Sequence, residues 1–126
     1  MSEIGFIGLG RMGQSMALNM ARKGFKLAIY DIKDDAMKPF TEFNNCRQAS
    51  NANDTIRPGT IIITVLPGPV EVEEAILAKG GVLDTMPKGT LLMDMSTVLP
   101  ETTDKIAKAA KLQGCYFVDA PIGRLA

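Results

Sequence analysis

Along the chain, short apolar runs alternate with stretches in which apolar residues recur at helical spacing. Short runs of this kind are strand-like, and the recurrent pattern marks amphipathic helices. The pattern predicts strands near residues 3–8, 26–30, 60–65, 90–94 and 115–119. A first helix is expected from about Gly10 to Lys23, with Gly24 as a left-handed stop. A weaker helix falls within about 33–43, and a short helical turn follows Ser50. The stretch "PVEVEEAILAKGG" reads as helix until its glycine pair. The last helix opens at Pro100, a residue suited to a first turn, and Gly114 ends it. Glu101 and Asp104 lie near its positive end, while Lys105, Lys108 and Lys111 occupy the middle and last turns, where cations sit better. Strands alternating with helices are the signature of βαβ units, so the expected class is α/β with a doubly wound parallel sheet. No repeat, low-complexity tract or linker interrupts residues 1–126, which read as one domain.

Composition narrows the picture. At 126 residues and 46% hydrophobic, the chain suits one globular domain with one core. Its 14 lysines and arginines equal its 14 aspartates and glutamates, so no net field draws it to nucleic acid or to an anionic membrane. Any bound anion must be held by a local site. The start of the chain carries Glu3 and then an apolar run broken by Gly5, Gly8 and Gly10, which is neither a signal peptide nor a membrane span. A soluble, cytoplasmic protein is expected. Cys46 and Cys115 fit no metal-ligand spacing, and Cys115 lies in an apolar run as a reduced, buried thiol would. Histidine is absent, which removes the commonest general acid and base.

The chemistry concentrates in "GFIGLGRMGQSMALNM", residues 5 to 20. Gly8, Gly10 and Gly13 form a GxGxxG pattern where the first strand meets the first helix. Gly8 permits the tight turn, Gly10 lets the backbone approach a pyrophosphate, and Gly13 lets helix pack close on strand. The phosphates would rest on the free N–H groups and positive end of the helix. The second strand ends in an acid, "LAIYDI", and Asp31 lies where a carboxylate accepts hydrogen bonds from an adenosine ribose and repels a 2′-phosphate. NAD is therefore favoured over NADP, although Lys33 nearby argues the other way. Glycines at such a turn can also serve backbone geometry alone. Met12, Met16 and Met20 recur at helical spacing as a core-packing stripe, and the N–H of Met12 can still face phosphate. Arg11 projects from the phosphate turn, where it either touches a pyrophosphate or is simply solvated.

These residues carry a resemblance. Two apolar residues, then "GLGRMG", then two residues and "MALN" is similar to the N-terminal signature of the β-hydroxyacid dehydrogenase family, which includes 3-hydroxyisobutyrate dehydrogenases and tartronate semialdehyde reductases. Met20 stands where that family usually has leucine or isoleucine. Three further matches follow in order: "TVLPGP" at 64–69, "DMSTVLP" at 94–100 and "VDAP" at 118–121. The resemblance implies a Rossmann-type dinucleotide-binding domain with Leu66 and Pro67 against the cofactor, although Pro67 and Pro69 would break a strand in any case. It places cofactor and substrate at Ser96 and Thr97, whose hydroxyl and N–H groups can bind an anion or a ribose. Capping of the following helix is the competing role, but Pro100 already marks that helix start.

Most members of the family continue the last motif as "DAPVSGG", whereas this chain has "DAPIGR". Gly123 and Arg124 thus stand where substrate-carboxylate ligands are expected, a variant that resembles the 3-sulfolactaldehyde reductases. An arginine fork matches the oxygens of a sulfonate or carboxylate; a solvated Arg124 near the chain end is the alternative. The resemblance also implies a catalytic lysine on a helix beyond the nucleotide-binding domain. Nothing here matches it, since Lys79, Lys88 and Lys105 lie in solvated stretches. The chain is accordingly expected to be an incomplete dinucleotide-binding domain, lacking the helical C-terminal domain and inactive alone. Its parent is expected to be a homo-oligomeric, NAD-dependent oxidoreductase acting on a small anionic hydroxyacid or aldehyde. A nucleotide-binding or dimerising module with a lapsed site is the other function class left open.

Overall fold

The computed structural model describes residues 3–58 and 60–122. Six strands, β1 (Ile4–Ile7), β2 (Leu27–Tyr30), β3 (Cys46–Gln48), β4 (Ile61–Thr64), β5 (Leu91–Asp94) and β6 (Tyr116–Asp119), form one sheet in the order β3-β2-β1-β4-β5-β6. Every pairing is parallel. The chain winds outward from β1 to β3, returns to pair β4 with the other side of β1, and winds outward again. That reversal leaves a crevice at the carboxyl ends of β1 and β4, where sheets of this type bind ligands.

Successive strand residues face opposite sides of the sheet, and the core divides accordingly. Phe6, Ile29 and Ile63 face α1 (Arg11–Arg22) and the segment after β2, whereas Ile7, Ile62 and Leu92 face the later helices. Helix α1 buries Gly13, Ala17 and Ala21, four apart and all small. The expected methionine stripe lies beside this line: Met16 and Met20 are half-buried, and Met12 is 51% exposed. Small residues win the innermost row because only they let the helix lie close to the strand turn.

The weak helix expected at 33–43 is a 3₁₀ segment, Asp34–Glu42, with Pro39 inside it. Its three-residue period brings Met37 and Phe40 to the same buried side. The turn after Ser50 is likewise 3₁₀, Ala52–Thr55, capped by the Asn51 side chain, which accepts the Asp54 N–H at 2.9 Å. Helix α2 (Pro69–Val72) continues as a widened turn, Glu73–Leu77, and stops at extended Ala78, short of the predicted glycine pair. The chain then forms α3 (Val82–Thr85), a single turn absent from the sequence reading, which buries Val82 and Leu83. Helix α4 (Pro100–Gln113) ends on left-handed Gly114, φ 73°.

β3 was also not predicted. It is a short edge strand whose Arg47 donates to Glu3 Oε1 at 2.9 Å and to Asp54 Oδ2 at 3.1 Å. This ties the edge to the start of β1 and to the 52–55 turn. The Ser50 N–H, donating to the carboxylate, is the main cause that holds Asp54 below its ordinary carboxyl range, with Arg57 and Arg47 adding to it. Both cysteines are free, and burial pushes the Cys46 thiol up. Among the described residues, no helix is long and apolar enough to cross a membrane.

Candidate functional site

The glycine loop lies between β1 and α1. Gly8 has φ 100°, in the left-handed region, and its N–H donates to the Tyr30 carbonyl at 2.9 Å. A Cβ at Gly8 would overlap the Val65 carbonyl oxygen and lie 3.2 Å from Leu66 Cδ2. A Cβ at Gly13 would overlap the Gly8 carbonyl oxygen and meet Val65 Cβ at 3.4 Å. Both positions therefore need glycine so that β1, β4 and α1 can converge. Gly10 differs: a Cβ there meets nothing within 4 Å. It precedes α1, whose amino end has no side-chain cap and no acid in its first turn. The first N–H groups of α1 and its positive dipole end are thus left to an external acceptor. Arg11 and Met12 are exposed beside them.

Asp31, just past β2, is fixed over this loop. Its Oδ2 accepts the Leu9 N–H at 2.7 Å and its Oδ1 accepts the Lys33 N–H at 2.9 Å. Each oxygen keeps lone-pair capacity for a further donor. Lys33 turns its backbone to Asp31, and its side chain is exposed. Ile32, next in sequence, is 84% exposed, an apolar surface beside the acid that the sequence reading did not single out. An uncapped helix end, open space above Gly10 and an oriented acid match the donors and acceptors of a dinucleotide's pyrophosphate and ribose.

Across the crevice, Val65 donates to the Ile7 carbonyl at 2.9 Å, which sets the 65–69 loop beside the glycine turn. Leu66 is half-buried, and Pro67 and Thr97 are exposed at the crest. Ser96 is not. It is buried, its hydroxyl donates to Asp94 Oδ1 at 2.7 Å, and its N–H donates to the same oxygen at 3.2 Å. The donors that the sequence reading offered to a ligand are therefore spent inside the protein, and Thr97 is the member of the pair that faces solvent. Gly123 and Arg124 lie outside the described residues.

Two hollows lie away from the crest. One of about 470 Å³, lined by Glu3, Lys26, Cys46 and Arg47, lies at the amino ends of the strands, opposite the crevice. Another of about 420 Å³ runs between α4 and β6. Neither touches the glycine loop. At the crest it is the backbone donors and the oriented acid that mark the site.

A family model for the NAD binding domain of 6-phosphogluconate dehydrogenase matches residues 3–124. The chain belongs to this family. As an NAD binding domain it is 39% identical over 121 residues to human mitochondrial 3-hydroxyisobutyrate dehydrogenase, covering 96% of this chain and 36% of that protein. It is 32% identical over 124 residues to the 3-sulfolactaldehyde reductase of Escherichia coli K12, covering 98% of this chain and 41% of that one. Among solved structures, Psf3 in complex with NADP+ and 2-OPP superposes with a TM-score of 0.89 at 23% identity, covering 96% of this chain and 43% of that one. The Mycobacterium tuberculosis 3-hydroxyisobutyrate dehydrogenase with L-serine gives a TM-score of 0.84 at 24% identity, covering 98% and 41%. The chain thus spans well under half the length of these relatives. The parallel sheet and glycine loop are the fold of this NAD binding domain family.

Proposed function

We propose that this NAD binding domain serves an NAD-dependent β-hydroxyacid dehydrogenase that moves hydride between nicotinamide and a small hydroxyacid or its semialdehyde. The observation that carries the reading is Asp31, held by the Leu9 and Lys33 N–H groups beside the uncapped amino end of α1. A carboxylate so fixed accepts the vicinal hydroxyls of an adenosine ribose and opposes a 2′-phosphate. Gly8 and Gly13 bring the loop and helix together, while the N–H groups from Gly10 to Met12 receive the pyrophosphate. Arg11 is free to screen its charge. Leu66, Pro67 and Thr97 then face the nicotinamide half.

The bound nicotinamide supplies or accepts the hydride at its C4. The residues of this chain bind and orient it, and Thr97 offers a hydroxyl toward the substrate side. Gly123 and Arg124 are the proposed contacts for the anionic end of the substrate. The similarity to a 3-sulfolactaldehyde reductase makes a three-carbon sulfonated aldehyde one member of that class, beside the semialdehydes of short hydroxyacids. Proton transfer to the substrate oxygen is assigned to a lysine outside this chain. Lys79, Lys88 and Lys105 are exposed, and Lys105 pairs with Glu73 at 3.0 Å, so none of the three sits in a water-excluded setting.

Titration of the chain with NADH and NADPH tests the reading. Like charges near a protein surface oppose each other by on the order of 1 kcal/mol or more, so NADH should bind about tenfold tighter. Asp31→Ala should narrow the gap, and equal affinities in the unaltered chain would refute the assignment to NAD. Assay of the full-length enzyme on sulfolactaldehyde, tartronate semialdehyde and methylmalonate semialdehyde ranks the substrates.

A further inference from the structure

We infer that Thr64, Asp94 and Ser96 form a buried lock that positions the nicotinamide half of the dinucleotide, with Asp94 as the positioning residue and Ser96 acting through the loops it joins. The inference rests on the cofactor reading above. Asp31 at the end of β2 marks the adenosine side, and the pyrophosphate belongs at the amino end of α1, above β1. An extended dinucleotide must then cross to the ends of β4 and β5. The crest there consists of two loops, residues 65–69 and 95–99, and their relative height decides whether Leu66, Pro67 and Thr97 meet the ring together.

A hydrogen-bonded side-chain group joins the two loops beside the backbone bond from the Met95 N–H to the Thr64 carbonyl at 2.8 Å. Thr64 and Asp94 are partners in the β4–β5 register, each the last residue of its strand. The Thr64 hydroxyl donates to Asp94 Oδ1 at 2.9 Å. The same oxygen accepts the Ser96 hydroxyl at 2.7 Å and the Ser96 N–H at 3.2 Å. Ser96 Oγ in turn accepts the Leu66 N–H at 2.8 Å. The hydrogen of the Ser96 hydroxyl is committed to Asp94 and one lone pair to Leu66, so the serine links the two loops and has no proton to offer a ligand. Leu66 also borders the glycine turn.

The arrangement is costly. Asp94 is fully buried, and its Oδ2 has no hydrogen-bond partner. A buried acceptor left unpaired is destabilising, and a neutral side chain could join two loops without it. What the Asp94 carboxylate provides is three donors converging on one oxygen, with both loops held to it.

The test uses this chain and two ligands, NADH and ADP-ribose, which lacks the nicotinamide. Thr64→Val and Ser96→Ala should each weaken NADH about fivefold to tenfold, less than the full worth of a hydrogen bond to a charged group because the loops keep their other contacts, and leave ADP-ribose binding unchanged. Thr64 is fully buried, so a lost ligand contact cannot explain its effect. Thr64→Ser, which keeps the hydroxyl, should restore NADH affinity. The double variant should be no weaker than the worse single variant by more than about twofold, because both break one network. Should Thr64→Val fail to fold, Ser96→Ala reads the same link by the same outcomes, because it removes both the proton given to Asp94 and the acceptor of the Leu66 N–H. The proposal is overturned if Thr64→Val leaves NADH untouched, if Thr64→Ser falls as far as Thr64→Val, or if both ligands weaken equally. It is also overturned if the unaltered chain binds the two ligands equally well. An unaltered chain that binds neither ligand refutes the cofactor reading itself.

Discussion

Gly10 and Gly13 share a motif but sit in opposite environments, so alanine at each should separate folding from binding. At Gly13 the new methyl would overlap the Gly8 carbonyl oxygen and lie 3.1 Å from the Gly8 carbonyl carbon and 3.4 Å from Val65 Cβ. None of these atoms can rotate away, so α1 must lift off the turn. Overpacking of this kind costs about 1–3 kcal/mol, with the upper end apt here. Alanine recovers about 1 kcal/mol of helix propensity over glycine. The net loss is about 1–2 kcal/mol, which lowers Tm by roughly 3–10 °C in a domain of this size. At Gly10, φ is −67° and ψ is −173°, a conformation any residue adopts, and the methyl meets open space. Stability should stay within about 0.5 kcal/mol. If a phosphate oxygen approaches that backbone, the methyl removes a charge-assisted hydrogen bond worth about 1.5–3 kcal/mol, or about tenfold to a hundredfold in affinity. Thermal unfolding and NADH titration of both variants make the comparison. A Gly10→Ala chain that binds NADH like its parent refutes the phosphate reading, and an unchanged Tm in Gly13→Ala refutes the packing argument.

Two further perturbations address regions away from the crest. The folded state holds the Asp54 carboxyl below its ordinary value of 3.8; its stabilisation is full above that value and is lost as pH falls through the lower folded-state value. Acid unfolding of Asp54→Asn should therefore be less steep below about pH 4 than that of the parent, and superimposable acid limbs would contradict this. Gly114→Ala forces a Cβ into the left-handed region at φ 73°, at a cost of about 1–2 kcal/mol. Its nearest neighbours are methylenes of the flexible Lys88 side chain, so a Tm lower by several degrees with NADH affinity intact is expected, and a parallel loss of affinity would show coupling to the crest.

The five longer strands and the glycine turn were legible because they depend on local signals: uninterrupted apolar runs, and glycines at a strand–helix junction. β3 was not, since an edge strand buries little, and "CRQ" offers no apolar alternation. Its place is set by Arg47 reaching Glu3, 44 residues away in sequence. The 34–42 segment has helical spacing, but Pro39 inside it has no N–H to donate, and three-residue spacing of Met37 and Phe40 suits a 3₁₀ turn equally well. Asp94 opens the motif at 94–100, where the hydroxyls of Ser96 and Thr97 are the more conspicuous ligands. Strand parity held the missing signal: Asp94 shares a face with Leu92, which is fully buried, so an acid there needed donors, and its register partner is a threonine.

The two acids at the crest show how one sheet edge divides its work. Asp31 is half-buried and spends its oxygens on two backbone N–H groups, which fixes its direction while leaving lone pairs toward solvent. Asp94 is sealed under the opposite loops and turns one oxygen to three internal donors. An acid that meets a ligand must keep capacity at the surface, whereas an acid that places other groups gains by being buried and saturated on one side. The same distinction separates Thr97 from Ser96, adjacent hydroxyls of which one faces solvent and the other is consumed. In the proposed site, residue type at the end of a strand marks where polar groups gather, and burial separates the groups open to a ligand from those bonded within the protein.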